Sequence, residues 1–162
     1  MTDYAKVTDL TEATTASDSD LIEVQQDQGG GNYLSKKITK ANLIPKTPGS
    51  IGLTTDAGKV FIVSGLKGYV SIPYNATITS WSIVANKSGS IVVDVWKKAG
   101  AIPTAADSIT ASAKPTLSSQ QLASSSTLTG WQTTITAGDV IAFNVVSTSA
   151  LNRVTVSIEV EK

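Results

Sequence analysis

Residues 151–160, Leu-Asn-Arg-Val-Thr-Val-Ser-Ile-Glu-Val, alternate aliphatic and polar side chains along most of their length. Successive residues of a β-strand point to opposite faces of the sheet, so the aliphatic set shares one face: Val154, Val156, Ile158 and Val160. Residues 76–86 and 90–97 repeat this alternation, and residues 139–146 are apolar on both faces, as in a central strand. The C-terminal two-thirds of the chain therefore predicts strands packed on a common core.

Shorter strand candidates fill the rest of residues 51–162, at 59–64, 68–73, 108–113 and 131–136. Turn signals rich in Gly, Pro and Asn separate them, at 65–68, 73–75, 86–89, 99–103 and 137–139. About eight short strands without an amphipathic helical stretch predict an all-β fold, an antiparallel β sandwich. The strand count favours a jelly-roll-like topology. Periodicity alone leaves an immunoglobulin-like sandwich open.

Residues 1–50 differ in composition, because their few large apolar residues stand in small clusters among Thr, Ser, Asp, Gln and Lys. Ordering the backbone costs about 1–2 kcal/mol per residue, which so few apolar groups do not offset. We therefore predict an extended N-terminal arm at 1–50, joined to the sandwich at 51–162 by a hinge at 45–51. Strands are predicted at 21–25 and 33–39, beside the 29–31 glycine run. We expect the arm to contact sister subunits or a larger assembly through Leu10, Leu21, Ile22, Val24, Ile38, Leu43 and Ile44.

The composition narrows the possible chemistry. Thirteen basic and thirteen acidic residues balance to zero, whereas a nucleic-acid binder normally has a basic surplus. The chain has neither cysteine nor histidine, which excludes disulfides, Ser-His-Asp catalysis and the usual zinc sites. No signal pattern and no long apolar run occur. We expect a protein made in the cytoplasm, with no nucleic-acid or membrane partner and no cofactor.

Three tryptophans are candidates for sugar stacking or for burial. Trp81 shares a predicted face with Ile83, which favours the core. Trp96 lies on the face opposite the aliphatic residues of its strand, and Trp131 follows a glycine, so both are candidate glycan or interface aromatics.

Three aspartates, Asp94, Asp107 and Asp139, lie in or near predicted strands. A hydrolase would need two such carboxylates about 5–9.5 Å apart in a cleft. The sequence gives no sign of that geometry, and a turn-stabilising role is favoured. We predict no catalytic residue and no metal site.

Two parts of the chain resemble bacteriophage virion proteins. Residues 8–14 (Thr-Asp-Leu-Thr-Glu-Ala-Thr), 20–24 and 36–43 resemble an attachment segment of phage fibre and spike proteins. The motifs of the second part resemble a β domain of head-decoration and fibre proteins, and they run in order through residues 68–73, 81–83, 90–97, 113–118, 128–131 and 137–145.

The resemblance implies a non-enzymatic structural protein of the virion. We expect a homotrimer that decorates the capsid as a cement or head-fibre protein and is anchored through its arm to phage capsid or tail proteins. The alternative is a short tail fibre or adhesin whose β domain binds a host-surface glycan. A hydrolase is the third class.

Overall fold

A computed structural model describes residues 21–27, 30, 33–39 and 45–162, and the chain divides into two compact units, Met1–Pro45 and Lys46–Lys162. In the first unit, β1 (Leu21–Asp27) pairs antiparallel with β2 (Tyr33–Thr39), which confirms both predicted strands. The register sets Ile22 opposite Ile38. Of the predicted arm contacts, Leu10, Leu43 and Ile44 lie outside the described residues.

The second unit is a curled antiparallel sheet, which confirms the all-β prediction. Apart from a 3₁₀ turn at Ala105–Asp107, its elements are β3 (Pro48–Asp56), β4 (Gly65–Ser71), β5 (Ala76–Ala99), β6 (Thr116–Ser125), β7 (Thr134–Ile135), β8 (Asp139–Ser149) and β9 (Arg153–Glu161). The strand order is β3-β9-β5-β8-β4, and the remaining strands β6 and β7 are also paired to β5.

Strand β5 is central to the sheet, because the two halves of its 24 residues pair with different strands. Its first half pairs with β9 and its second half with β8. The turn predicted at 86–89 is wrong, since the strand continues there and only its ladder with β6 shifts register, from Val84↔Leu122 to Gly89↔Gln120. Gly89 fits this bend because a Cβ would lie 2.5 Å from Leu151 Cδ2 and 2.7 Å from the Ser149 carbonyl oxygen.

The core lies inside the curl. The four alternating aliphatic residues of β9 predicted to share a face are all buried there, together with inward residues of β5 and β8 such as Ile83 and Phe143. The two end strands approach each other, because Gly68 of β4 leaves room for Leu53 of β3, whose Cδ2 would be 3.2 Å from a Cβ at that position. This contact brings the ends of the curled sheet together.

Several predicted elements differ from the structure. Residues 59–64 form a loop, and 108–113 contribute one bridge, Trp96↔Ser108, rather than a strand. Only Thr134–Ile135 of 131–136 is strand. β6 was not predicted because its residues, Thr-Leu-Ser-Ser-Gln-Gln-Leu-Ala-Ser-Ser, show no alternation. β3 begins at Pro48, within the segment predicted as a hinge.

Candidate functional site

An aromatic row crosses the outer face of β4, β8 and the second half of β5. The register places Tyr69 and Trp96 on either side of Ala142. Strands are about 4.8 Å apart, so the two aromatic residues start about 10 Å from each other. Tyr69 is 44% exposed and Trp96 is half-buried. Ala142 alternates with the core residues Ile141 and Phe143 yet is fully buried, so side chains around it must cover this outward position.

Asp94 lies two residues before Trp96, on the same face of β5, and is buried. The hydroxyls of Ser108 and Thr110 both donate to its Oδ1 at 2.6 Å, and Lys114 Nζ lies 3.1 Å from Oδ2. Burial by itself would raise the pKa of Asp94, but these hydrogen bonds outweigh it and hold the pKa below its ordinary value. The carboxylate is therefore ionised and engaged through both oxygens.

The chain after the 3₁₀ turn builds this network because it runs alongside β5. Ile109 donates its amide to the Val95 carbonyl at 2.9 Å and buries its side chain in the core. Since neighbours in an extended segment point to opposite sides, Ser108 and Thr110 face outward to Asp94. A turn follows, and Lys114 folds back over the network while donating to the Ala111 carbonyl at 2.9 Å.

The indole nitrogen of Trp96 is buried and makes no hydrogen bond of regular geometry within the described part of the chain. It lies close enough to Asp94 to contribute to the lowered pKa of that carboxyl. The nitrogen edge of the Trp96 ring therefore lies next to Asp94. The half-buried ring leaves part of its surface open on the outer face.

The other predicted aspartates stabilise turns or ion pairs. Asp139 is almost fully buried, lies 2.9 Å from Lys97 Nζ, and accepts the Thr136 amide at 2.8 Å. Asp107 accepts the Thr104 amide at 2.8 Å, and this bond holds the pKa of Asp107 below its ordinary value. Among the described residues, no group of three or more acidic side chains could hold a metal ion. These contacts are typical of carboxylates that stabilise the fold.

The structure separates the three tryptophans. Trp81 and Trp131 both belong to the core, each 8% exposed, and Trp131 Nε1 donates to the Ala113 carbonyl at 2.8 Å. Trp96 lies instead on the outer face, two strands away from Tyr69. Sequence reasoning missed Tyr69, although its alternation with Val70 in β4 was a usable signal. The predicted arm residues of β1 and β2 are in the other unit, where the hairpin register sets Val24 opposite Lys36.

A cleft of about 510 Å³ with charged side chains on its wall lies at the end of the sheet where β3 begins. Lys46 and Glu161 on its wall form an ion pair at 2.9 Å, and Lys162 Nζ lies 4.3 Å from the centre of the Tyr74 ring. Asn75 accepts the Ala137 amide at 2.8 Å. The charged groups of this cleft thus have partners within the domain, which makes it a weaker candidate than the aromatic row.

Comparison with known proteins adds no family assignment: no protein-family profile matches the chain, and no curated protein resembles it significantly in sequence. In the part of the chain that the structure describes, no helix has the length and apolar character needed to span a bilayer.

Proposed function

We propose that this protein is a non-enzymatic structural protein of a bacteriophage virion, a homotrimer that decorates the capsid as a cement or head-fibre protein. The N-terminal unit is the attachment element, and the β domain is a jelly-roll-like sandwich displayed from it. The division into two units is consistent with this arrangement. The engagement of Asp94, Asp107 and Asp139 in structural contacts supports a non-enzymatic role.

The observation that carries the assembly proposal is the edge strand β6. It pairs with β5 alone among the described strands, and none of its ten residues is charged or proline. Edge strands of monomeric proteins are usually protected by charges, prolines or bulges, because free backbone groups recruit other strands. Here the register shifts disturb one part of β6, but residues 122–125 pair regularly with β5.

An exposed apolar pair lies at this edge. Leu122 is 62% exposed and faces Val84, 52% exposed, across the β5–β6 ladder. An uncharged edge next to two exposed aliphatic side chains suits a contact with another copy of the chain. We infer that β6 contributes to contacts between subunits.

The test is the solution mass of the full-length chain by light scattering. Leu122→Lys places a charge on the β6 edge and is expected to convert the trimer to smaller species. Ile102→Lys is the matched control, because Ile102 is 59% exposed but lies outside β6. An unchanged mass for Leu122→Lys, or equal loss for both variants, contradicts the role of β6.

Attachment through the first unit has its own test. Ile22→Asp with Ile38→Asp puts two charges at opposite positions of the hairpin, and Gln25→Asp with Ser35→Asp does the same at a polar pair in register. We expect the first double variant to lose binding to phage particles and the second to retain it. Equal binding by both would contradict the proposed role of the apolar arm residues.

The aromatic row favours a second candidate, an adhesin that binds a host-surface glycan. Tyr69 and Trp96 offer ring faces for sugar stacking, with the polar side chain of Asn144 one row away. Tyr69→Ala should then abolish saturable glycan binding, while Phe61→Ala, an exposed aromatic position in another loop, should not. Binding that survives Tyr69→Ala would exclude this face.

A further inference from the structure

The loop 57–64, between β3 and β4, displays three large apolar side chains. Val60, Phe61 and Val63 are 67%, 58% and 69% exposed, while Ile62 between them is buried. We call the three exposed residues the apolar tip. Single exposed apolar residues are ordinary on protein surfaces, but three on one short loop form a local cluster.

The tip is held in place by hydrogen bonds to the turn between β8 and β9. The Ala57 amide donates to the Asn152 carbonyl and the Ile62 amide to the Leu151 carbonyl, both at 2.8 Å. The Asn152 side chain donates back to the Val60 carbonyl at 2.6 Å. With Ile62 as a buried anchor, the loop presents its apolar side chains on a supported backbone.

The charges around the tip are positive. Lys87 Nζ lies 4.6 Å from the centre of the Phe61 ring, and Lys59 is exposed on the same loop. Neither lysine has an ion-pair partner among the residues that the structure describes. The nearby acid, Asp56, is paired with Arg153 Nη2 at 2.7 Å.

The tip is at the far end of the domain from Lys46, where the chain enters. β3 leads from Pro48 to Asp56, and nine residues of strand span about 30 Å. With the domain held at its entry end, as the proposed function has it, the tip lies at the opposite end.

We propose that the apolar tip, with Lys59 and Lys87, docks on an anionic lipid surface. The tip consists of three exposed side chains on one loop, and these fall well short of the roughly 800 Å² per partner of a standard protein interface. A lipid surface needs no matching concavity: apolar side chains enter the acyl boundary, and lysines remain with the lipid phosphates. The sequence predicts no membrane partner, because no apolar run is long enough to span a bilayer. The contact proposed here differs from that prediction and requires no spanning segment.

The experiment is flotation of the full-length protein with vesicles of phosphatidylcholine alone or mixed with phosphatidylglycerol. We expect binding to the mixed vesicles only, decreasing with added salt because the lysine contribution is screened. Phe61→Ser with Val63→Ser should weaken it roughly tenfold or more. Phe61→Leu should retain most of it, and Ile102→Ser, an exposed apolar position elsewhere, should match the wild type.

Three results would overturn the proposal: no binding of the wild type to mixed vesicles, equal binding to neutral vesicles, or binding that the tip double variant leaves unchanged. A drop in the solution mass of the double variant would assign the tip to a contact between copies and would also overturn it. Unaltered far-UV circular dichroism checks that the variant is folded. Because the lipid assay does not depend on trimer formation, the two proposals fail independently.

Discussion

Asp94→Asn tests whether the network on the outer face of β5 stabilises the domain. The substitution preserves the shape of the side chain and leaves Oδ1 able to accept from Ser108 and Thr110. It removes the charge and turns an amide group toward Lys114, whose ammonium then loses the carboxylate at 3.1 Å. We expect the variant to fold and to be clearly less stable.

The magnitude follows from the degree of burial. Breaking a fully buried ion pair costs about 3–5 kcal/mol, and an exposed pair is worth about 0–1 kcal/mol. The side chains of Asp94 and Lys114 are 11% and 26% exposed, so this pair lies between those limits but nearer the buried one. The two hydroxyl bonds also weaken when their acceptor loses its charge. Together these effects give a loss of about 2–4 kcal/mol in the free energy of unfolding.

Urea denaturation followed by tryptophan fluorescence measures this loss, at neutral pH and again in acid. The pKa of Asp94 is lowered in the folded protein, so its contribution is complete above the ordinary aspartate pKa and disappears as the pH falls through the lowered value. The difference between wild type and Asp94→Asn should therefore shrink in strongly acidic solution. In thermal melts at neutral pH, the loss corresponds to a decrease of about 10 °C in Tm.

Asp107→Asn is the matched control, because Asp107 also accepts hydroxyl and lysine contacts but with its ion pair more exposed. It should lose distinctly less stability than Asp94→Asn. The reasoning is refuted if Asp94→Asn is as stable as the wild type at neutral pH. It is also refuted if the difference persists in full under acid, since the charge would then not be its cause.

Other substitutions probe the sheet and its core. Gly89→Ala forces a Cβ against Leu151 and a backbone oxygen, so urea unfolding should show a loss of about 1–3 kcal/mol. Trp131→Phe leaves the Ala113 carbonyl without its donor and opens space in the core, which should lower stability by about 1–3 kcal/mol in the same assay. Lys97→Met removes the cation from the buried Asp139, and a fall of about 2–4 kcal/mol is expected; no change would mean that Asp139 is satisfied by the Thr136 amide alone.

The sequence predicts strands well where side chains alternate. β9 and the apolar β8 could be predicted from the sequence, because burial on one or both faces leaves a pattern in the residue types. β6 was not, because an exposed edge strand needs no apolar face and its Ser and Gln residues also suit loops. The strand prediction for residues 59–64 is wrong for the opposite reason. Their run of Val, Phe, Ile and Val has strand-like composition, but the segment is a loop that buries only Ile62.

The candidate site was predicted in part. The alternation of β5 placed Trp96 on the outer face, but its partner Tyr69 comes from β4, and only the strand order brings the two together. The network around Asp94 was not predictable, because Ser108, Thr110 and Lys114 follow a turn without a recognisable motif. Contacts between distant segments depend on register, which residue periodicity does not fix.

The wrong turn prediction at residues 86–89 lies next to the loop that we propose as a docking surface, since Lys87 packs over the Phe61 ring. Residues 86–89 have the composition of a turn, yet β5 continues through them, and Gly89 lies closer to Leu151 than a Cβ would allow. The Leu151 carbonyl in turn binds the Ile62 amide, and Ile62 anchors the apolar tip. Gly89 thus packs against the same turn that supports the tip. Local signals that disagree with the fold are expected at functional sites. The wrong turn prediction next to the apolar tip agrees with the docking role that we propose for it.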